Sequence, residues 1–150
     1  MIVREAAFPM DAEAVTAGAE DFAHHVDLPD IIPQDRATLS VALSHLLALP
    51  SFEIWLAEHE GRTVGGIGLL FAPFQWDRGK IVMSEQFIWC GKGAPPTAFL
   101  ALIRTADKRA RHWNATIREY ASVPPYTETL SSIYRRKGLK PVQQVWMGAA

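Results

Sequence analysis

The sequence is poor in cysteine, in long apolar runs and in net charge. Its one cysteine, Cys90, excludes an internal disulfide and a zinc site built from cysteines. No apolar run approaches the roughly 20 residues that a membrane span needs. The first residues also lack the basic and apolar regions of a signal peptide. We therefore expect a reduced, cytoplasmic protein without a membrane segment.

What remains is the composition of an ordinary globular domain. The 150 residues are 49% hydrophobic and 21% charged, and a chain of this length can bury about two-thirds of its unfolded surface. The sequence contains no internal repeat, low-complexity tract or linker. We predict a single domain over 1–150.

The net charge of −1 hides an uneven distribution along the chain. Residues 1–60 carry two basic and eleven acidic side chains, whereas residues 100–150 carry nine basic and three acidic ones. This pattern favours a cationic ligand for the N-terminal part and an anionic ligand for the C-terminal part. The alternative is that both segments simply present solvated faces.

Hydrophobic periodicity and helix-breaking residues predict the order β-α-α-β-β-β-α-β-α-β. The predicted helices run from Asp11 to Val26, from Asp35 to near Pro50, from Pro95 to Asn114 and from Thr127 to Gly138. The predicted strands are 2–6, 52–58, 63–71, 81–90, 116–123 and 141–147. We therefore predict an α/β fold, a mixed and mostly antiparallel sheet of about six strands with helices on both faces.

The second and third strands form a predicted hairpin around the short polar segment 59–62. Three glycines, Gly65, Gly66 and Gly68, weaken the second strand of this hairpin. Glycines inside a strand indicate a bulge or a close backbone contact.

Three segments of the chain carry a family resemblance. Residues 2–6, followed by Asp11, match a first strand and the start of a first helix, and residues 58–66 match a hairpin. Residues 133–142 hold Tyr134 in a short last helix that ends at Gly138. In this order the segments resemble the GCN5-related N-acetyltransferase (GNAT) family over the whole chain, with the tyrosine helix and its glycine as the most specific part.

The resemblance implies an acetyl-CoA-dependent N-acetyltransferase. An amine acceptor, small or peptidic and cationic, would attack the thioester directly. Acetyl-CoA would lie along the fourth strand, at Phe87, Ile88, Trp89 and Cys90. Backbone N–H groups near Ile88 and Trp89 would polarise the thioester carbonyl. Thr127 stands where the family contacts the pantetheine arm, although a helix cap is the simpler interpretation.

One segment departs from the family pattern. The family wraps the pyrophosphate of coenzyme A with an Arg or Gln followed by Gly-x-Gly or Gly-x-Ala, but here Pro95 and Pro96 stand in the loop and contribute no N–H. If Pro96 begins the helix, the N–H groups of the next three residues, Thr97, Ala98 and Phe99, remain available as donors. Gly91 and Gly93 permit a close approach of backbone to ligand, and Lys92 supplies a positive charge.

Two residues are the catalytic candidates. The resemblance implies that Tyr134 protonates the leaving thiolate and that Glu85 removes the proton of the amine. Strand alternation predicts that Glu85, Phe87 and Trp89 share one face, where burial would raise the pKa of the carboxyl group. The alternatives are a solvated or ion-paired Glu85, and a Tyr134 that packs with its hydroxyl bonded locally.

The remaining chemical side chains predict no further site. His24 and His25 are adjacent on a helix and point about 100° apart, so we predict no metal. Cys90 is interpreted as a small buried thiol. A basic set could contact nucleic acid, but a solvated helix face explains it more simply and we expect no nucleic-acid partner. This set is Arg104, Lys108, Arg109, Arg111 and Arg118. A homodimer is compatible with these features.

The alternative function is a binding or structural module. The same fold could persist in a mobile element or a virus with a disabled coenzyme A loop and no catalysis. Pro95 and Pro96 are the feature that favours it. This alternative predicts a filled cleft and no coenzyme binding.

Overall fold

The computed structural model describes residues 1–26, 32–122 and 126–141. These residues form five strands and four helices. The strands are β1 (Ile2–Glu5), β2 (Phe52–His59), β3 (Arg62–Phe74), β4 (Asp77–Cys90) and β5 (Ile117–Glu119). The helices are α1 (Ala12–Val26), α2 (Arg36–Leu47), α3 (Ala98–His112) and α4 (Thr127–Arg136).

The strands form one sheet in the order β1-β2-β3-β4-β5. Every neighbouring pair is antiparallel except β4 and β5, which run parallel. The predicted fold class and element order are therefore confirmed through α4. The described residues contain five strands rather than six, because the predicted last strand, 141–147, lies outside them apart from Pro141.

Local signals explain where several helices begin and end. The Asp35 side chain accepts a hydrogen bond of 2.9 Å from the Thr38 N–H and so caps α2. Gly138, at a φ of +76°, follows the end of α4, where a left-handed residue is needed to terminate the helix. Both features agree with the sequence-based boundaries.

Three strands, β3, β4 and β5, differ clearly in length from the prediction. β3 continues to Phe74 and β4 begins at Asp77, inside the predicted turn-rich segment 75–79, and Asp77 pairs with Phe74. In contrast, β5 spans only three residues instead of 116–123, of which Val123 lies outside the described residues. This short strand determines the shape of the candidate site.

Helices cover both faces of the sheet, as predicted, and each face has its own core. On one face α1 and α2 bury apolar residues of the sheet, among them Phe52, Ile54, Leu56, Phe87 and Trp89. On the other face α3 and α4 cover residues that include Ile67, Leu69, Met83, Ile88 and Cys90. None of the helices in the described ranges combines the length and apolar composition that a membrane span requires.

Candidate active site

A β-bulge at Gln86 interrupts the pairing of β4 with β3. Glu85 pairs with Leu69 and Phe87 pairs with Gly68, so Gln86 is the extra residue of β4. An extra residue reverses the direction of the side chains that follow it. The prediction that Glu85, Phe87 and Trp89 share a face is therefore wrong: Phe87 and Trp89 lie on the α1 side, whereas Glu85 contacts Tyr134 of α4.

The pairing of β4 with β5 ends one residue before Glu85. Val82, Met83 and Ser84 pair with β5, and Ser84 also donates a side-chain hydrogen bond of 2.7 Å to Glu119 at this last position. Beyond Ser84, no residue of β4 pairs with β5 in the described part of the chain. We call this point, between the Ser84–Glu119 pair and Glu85, the split.

The side chains of Glu85 and Tyr134 meet at the split. The Tyr134 hydroxyl lies 3.0 Å from Oε2 of Glu85 and 2.8 Å from the carbonyl oxygen of Ala121, which follows β5. Burial raises the pKa of Glu85 to about 8, against the opposing effects of the Tyr134 hydroxyl and the Ala121 backbone. Burial, together with the charge of Glu85, also raises the pKa of Tyr134.

The two groups form a hydrogen-bonded chain that can hold and pass a proton. One hydroxyl proton cannot be donated to both neighbours. With Glu85 protonated, its carboxyl group donates to the Tyr134 oxygen and the tyrosine donates to the Ala121 carbonyl. With Glu85 ionised, the tyrosine donates to the carboxylate. Both the protonated and the ionised form of Glu85 are therefore hydrogen-bonded to Tyr134, so the pair can take up or release one proton near neutral pH.

The backbone of β4 beyond the split has an unpaired edge. The N–H of Gly91 donates to the Val64 carbonyl at 2.9 Å, so ladder alternation directs the N–H and C=O groups of Trp89 toward β3. The same alternation directs those of Ile88 and Cys90 toward the opposite side, where β5 has ended. Among the expected oxyanion donors, the Ile88 N–H faces the opening and the Trp89 N–H does not.

The loop after β4 supplies further backbone donors. The N–H of Gly91 is used by Val64, and the N–H of Ala94 donates to the Gly91 carbonyl at 3.0 Å. Three N–H groups of this loop have no acceptor within the described ranges: those of Lys92, Gly93 and Thr97. Gly93 has a φ of +88°, which permits the turn that exposes these donors. Such donors near a helix N-terminus fit an anionic group.

Two predictions on helix starts are wrong. Pro96 does not begin α3, which starts at Ala98, and the Ala98 N–H donates to the Pro95 carbonyl at 2.9 Å. The Ala98 N–H is thus not available to a ligand. Thr127 is the first residue of α4 rather than its cap, and the N-cap residue, Tyr126, makes no side-chain capping bond. Thr127 is exposed beside the site.

Two glycines leave room for the Trp89 ring, which β4 directs toward α1. A Cβ atom on Gly66 would lie 2.0 Å from Cη2 of Trp89, and one on Gly18 would lie 2.0 Å from Cε2 of the same ring. The predicted bulge or close backbone contact is confirmed beside Gly68, where the register shifts, and at Gly65, where a Cβ atom would lie 2.6 Å from the Trp89 carbonyl oxygen. Because Trp89 fills the space between Gly18 and Gly66, α1 packs directly over the end of β4.

Other candidates have structural explanations. Cys90 is buried, as predicted, and burial raises the pKa of its thiol to about 12. Among the described residues no cluster of three or more His, Cys, Asp or Glu could hold a metal ion. A shallow depression between α1 and α2 is lined by Glu13 and Arg36, which pair with each other, and lies away from the split.

Two members of the basic set form ion pairs with buried carboxylates, and the other three are exposed. Arg109 donates to Glu53 and Arg118 donates to Asp107, so both hold elements of the fold together. Arg104, Lys108 and Arg111 are exposed on α3. This division agrees with a solvated helix face.

Solved structures show the same architecture. No protein-family model matches the chain, and no curated protein matches it. A predicted acetyltransferase from Clostridium acetobutylicum with acetyl-CoA is 11% identical, with a TM-score of 0.75 over 99% of this chain and 95% of that chain. A transcriptional regulator from Bacillus halodurans C-125 is 15% identical, with a TM-score of 0.79 over 99% of both chains. AAC(6')-Iy bound to a bisubstrate analogue, CoA-S-monomethyl-acetylneamine, is 9% identical, with a TM-score of 0.75 over 99% and 97%.

The chain has the GNAT fold. At identities this low the comparisons show the fold alone, and the activity has to be argued from the residues of the site. Within this GNAT fold, sequence reasoning missed Tyr126 beside the end of β4, and it considered Asp21 only as a neighbour of His24 and His25 in a metal site. Tyr126 directly precedes the predicted last helix, which is the one signal that could have drawn attention to it.

Proposed function

We propose that the protein is an acetyl-CoA-dependent N-acetyltransferase that acts on a cationic amine. The observation that carries this proposal is the split, where β4 loses its parallel neighbour at the residue before Glu85. An unpaired strand edge, a buried carboxyl group and a tyrosine hydroxyl then lie together. This combination offers donors for an extended amide-bearing chain and groups for proton transfer.

The reaction assigned to this site is direct transfer. The amine nitrogen attacks the thioester carbonyl carbon, the N–C bond forms and the C–S bond breaks. Glu85, when ionised, takes the proton that the amine nitrogen must lose. Tyr134 donates a proton to the leaving sulfur and regains one through its hydrogen bond with Glu85. The Ile88 N–H is suited to stabilise the negative charge that develops on the carbonyl oxygen.

Coenzyme A fits the donors of the loop after β4. The N–H groups of Lys92, Gly93 and Thr97 and the Lys92 ammonium group would hold its phosphates. Pro95 and Pro96 remove two donors from this loop, so fewer N–H groups serve it than in the family pattern. The solved GNAT structures with acetyl-CoA or a coenzyme A analogue support this assignment.

The acceptor class rests on charge. The N-terminal 60 residues carry a large acidic excess. Part of it is neutralised, because Glu13 and Glu20 pair with Arg36, Asp11 and Glu58 pair with Arg4, and Glu53 pairs with Arg109. The remaining negative charge favours a cationic amine, small or peptidic. The amine-derived portion of the analogue bound to AAC(6')-Iy is consistent with this class.

Calorimetric titration with acetyl-CoA tests the proposal. We expect heat of binding with a dissociation constant below the millimolar range, followed by release of free thiol when polyamines, aminoglycosides or peptides with a free N-terminus are added. The Tyr134→Phe variant should retain binding and lose about tenfold in kcat. Absence of binding heat at millimolar acetyl-CoA would exclude the enzyme.

A binding module without catalysis is the second candidate. Two observations favour it: the proline pair in the coenzyme loop, and a hydrogen bond of 3.0 Å from the Tyr126 hydroxyl to the Cys90 carbonyl, which occupies the unpaired edge of β4. It predicts no heat with acetyl-CoA and no thiol release with any amine, so the same titration separates the two functions.

A further inference from the structure

Tyr126 occupies one of the few free acceptors on the edge of β4. Its hydroxyl donates to the Cys90 carbonyl at 3.0 Å. Its ring packs between His25 of α1, at 5.6 Å between centroids, and Phe99 of α3, at 4.8 Å. These contacts hold a half-buried phenol against the end of the strand edge that begins at the split.

This contact conflicts with a ligand that follows the strand edge. Pantetheine is an extended chain with two amides, and such a chain binds an open strand through its N–H and C=O groups, as an added strand does. The Cys90 carbonyl is an acceptor for one of its N–H groups. A carbonyl engaged by Tyr126 gives a weaker bond to a second donor, and the phenol lies where the chain must run.

A second acceptor for the Tyr126 hydroxyl lies on α1. Oδ2 of Asp21 is the one buried side-chain oxygen without a hydrogen-bond partner in the described part of the chain. Nδ1 of His25 lies 3.5 Å from this atom and bonds the Asp21 carbonyl oxygen at 2.7 Å instead. The Asp21 side chain as a whole is 41% exposed, and its Oδ2 is an acceptor that can take a hydrogen bond from a nearby donor.

Asp21 and Tyr126 are near neighbours. Asp21 lies nearly one helical turn after Gly18, the residue of α1 that touches Trp89 next to Cys90. Burial, and next the charge of Asp21, raise the pKa of the Tyr126 phenol. His25 follows Asp21 by one turn on the same face of α1 and its ring centroid lies 5.6 Å from that of Tyr126, so Asp21 lies on the face of α1 that meets this tyrosine.

We propose that Tyr126 has two positions and that Asp21 stabilises the second. Without coenzyme the hydroxyl donates to the Cys90 carbonyl. When the pantetheine arm takes that carbonyl, the hydroxyl turns to Oδ2 of Asp21. Asp21 is thus a positioning residue for coenzyme binding, an inference that rests on the proposed function.

A double-mutant cycle tests the coupling. Coenzyme A is titrated calorimetrically into wild type, Asp21→Ala, Tyr126→Phe and the double variant. Asp21→Ala should weaken binding about tenfold, because the displaced hydroxyl loses its charged acceptor. Tyr126→Phe keeps the ring packing and should stay within about threefold of wild type, because it loses one hydrogen bond in each position. In that background Asp21→Ala should have no weakening effect.

The sign of the effect separates this coupling from simple electrostatics. Coenzyme A is anionic, so removal of a nearby negative charge should by itself strengthen binding. Glu20→Ala removes the neighbouring charge of the same helix, which Arg36 partly neutralises, and so gives a lower limit for that contribution. Asp21→Asn also removes the charge but keeps an acceptor oxygen, so it should bind nearer to wild type than to Asp21→Ala.

The outcomes are distinguishable from failure of the proposed function. Weakening by Asp21→Ala that requires the Tyr126 hydroxyl supports the two positions. If wild type binds coenzyme A but Asp21→Ala tightens binding, or weakens it equally in both backgrounds, the inference is wrong and the enzyme assignment stands. If neither wild type nor any variant binds, both the inference and the proposed function are overturned. Thermal unfolding of each variant verifies that it is folded.

Discussion

Two buried carboxylates on the same side of the sheet meet opposite environments. Glu53 of β2 accepts two hydrogen bonds from Arg109, at 2.6 and 2.8 Å, and one each from the indole N–H groups of Trp113 and Trp55. Glu85 of β4 meets the Tyr134 hydroxyl and the Ala121 backbone, and no cation pairs with it among the described residues. Their exposed fractions are nearly equal, 7% and 9%, so solvent exposure alone does not distinguish them.

The partners decide the protonation state. Burial raises the pKa of Glu53, but the bonds from Arg109, Trp113 and Trp55 outweigh it and hold the pKa below its usual value. For Glu85 burial prevails and the pKa rises to about 8. A buried carboxylate with a cation is therefore a permanent anion that fastens α3 to the sheet. One without a cation can exchange its proton near neutral pH.

The largest effect is expected from removing one member of the Glu53 pair. Glu53→Ala leaves the Arg109 guanidinium and two indole N–H groups without their acceptor and should lower the free energy of unfolding by about 3–5 kcal/mol. Urea denaturation at pH 7 measures this loss. The catalytic constant of the fraction that stays folded should change little, because Glu53 does not contact the split.

A double substitution sharpens the same point. Glu53→Met combined with Arg109→Met removes both charges and replaces them with apolar groups, so it should be much less destabilising than Glu53→Ala. If the double variant is as unstable as the single one, packing rather than the ion pair accounts for the loss.

Sequence reasoning predicted the order of the elements and missed this contrast for a physical reason. Hydrophobic periodicity is local, so it located the helices and most strands, and the pattern around Tyr134 and Gly138 identified the last helix. The direction of Glu85 depends on a one-residue bulge at Gln86, which simple alternation does not include. Arg109 lies 56 residues from Glu53, and nothing local in the sequence pairs them.

The next largest effect is expected from Glu85→Gln. This change keeps the shape and the hydrogen bond to Tyr134 but removes the proton acceptor, so kcat should fall about a hundredfold with acetyl-CoA affinity unchanged. Thiol release with a saturating amine measures it. In wild type the rate should rise with pH through about 8, as Glu85 ionises. Glu60→Gln, the same substitution at an exposed turn, is the control. Equal rates in the two variants would remove Glu85 from the chemistry.

The last expected effect is a difference in how stability depends on pH. The pKa of Glu85 is about 8 in the folded state and near 4.5 in the unfolded chain. Between these values the folded state binds the additional proton, so the stability that Glu85 contributes is complete below pH 4.5 and is lost as pH rises through 8. The slope is at most about 1.4 kcal/mol per pH unit.

The contribution of Glu53 to stability changes with pH in the opposite direction, because its lowered pKa gives stability that is lost on acidification. Urea denaturation of wild type and Glu85→Gln from pH 5 to 9 should therefore give curves that diverge, with wild type losing stability relative to the variant as pH rises. Parallel curves would mean that Glu85 is ionised at neutral pH, as Glu53 is, and the contrast between the two carboxylates would not hold.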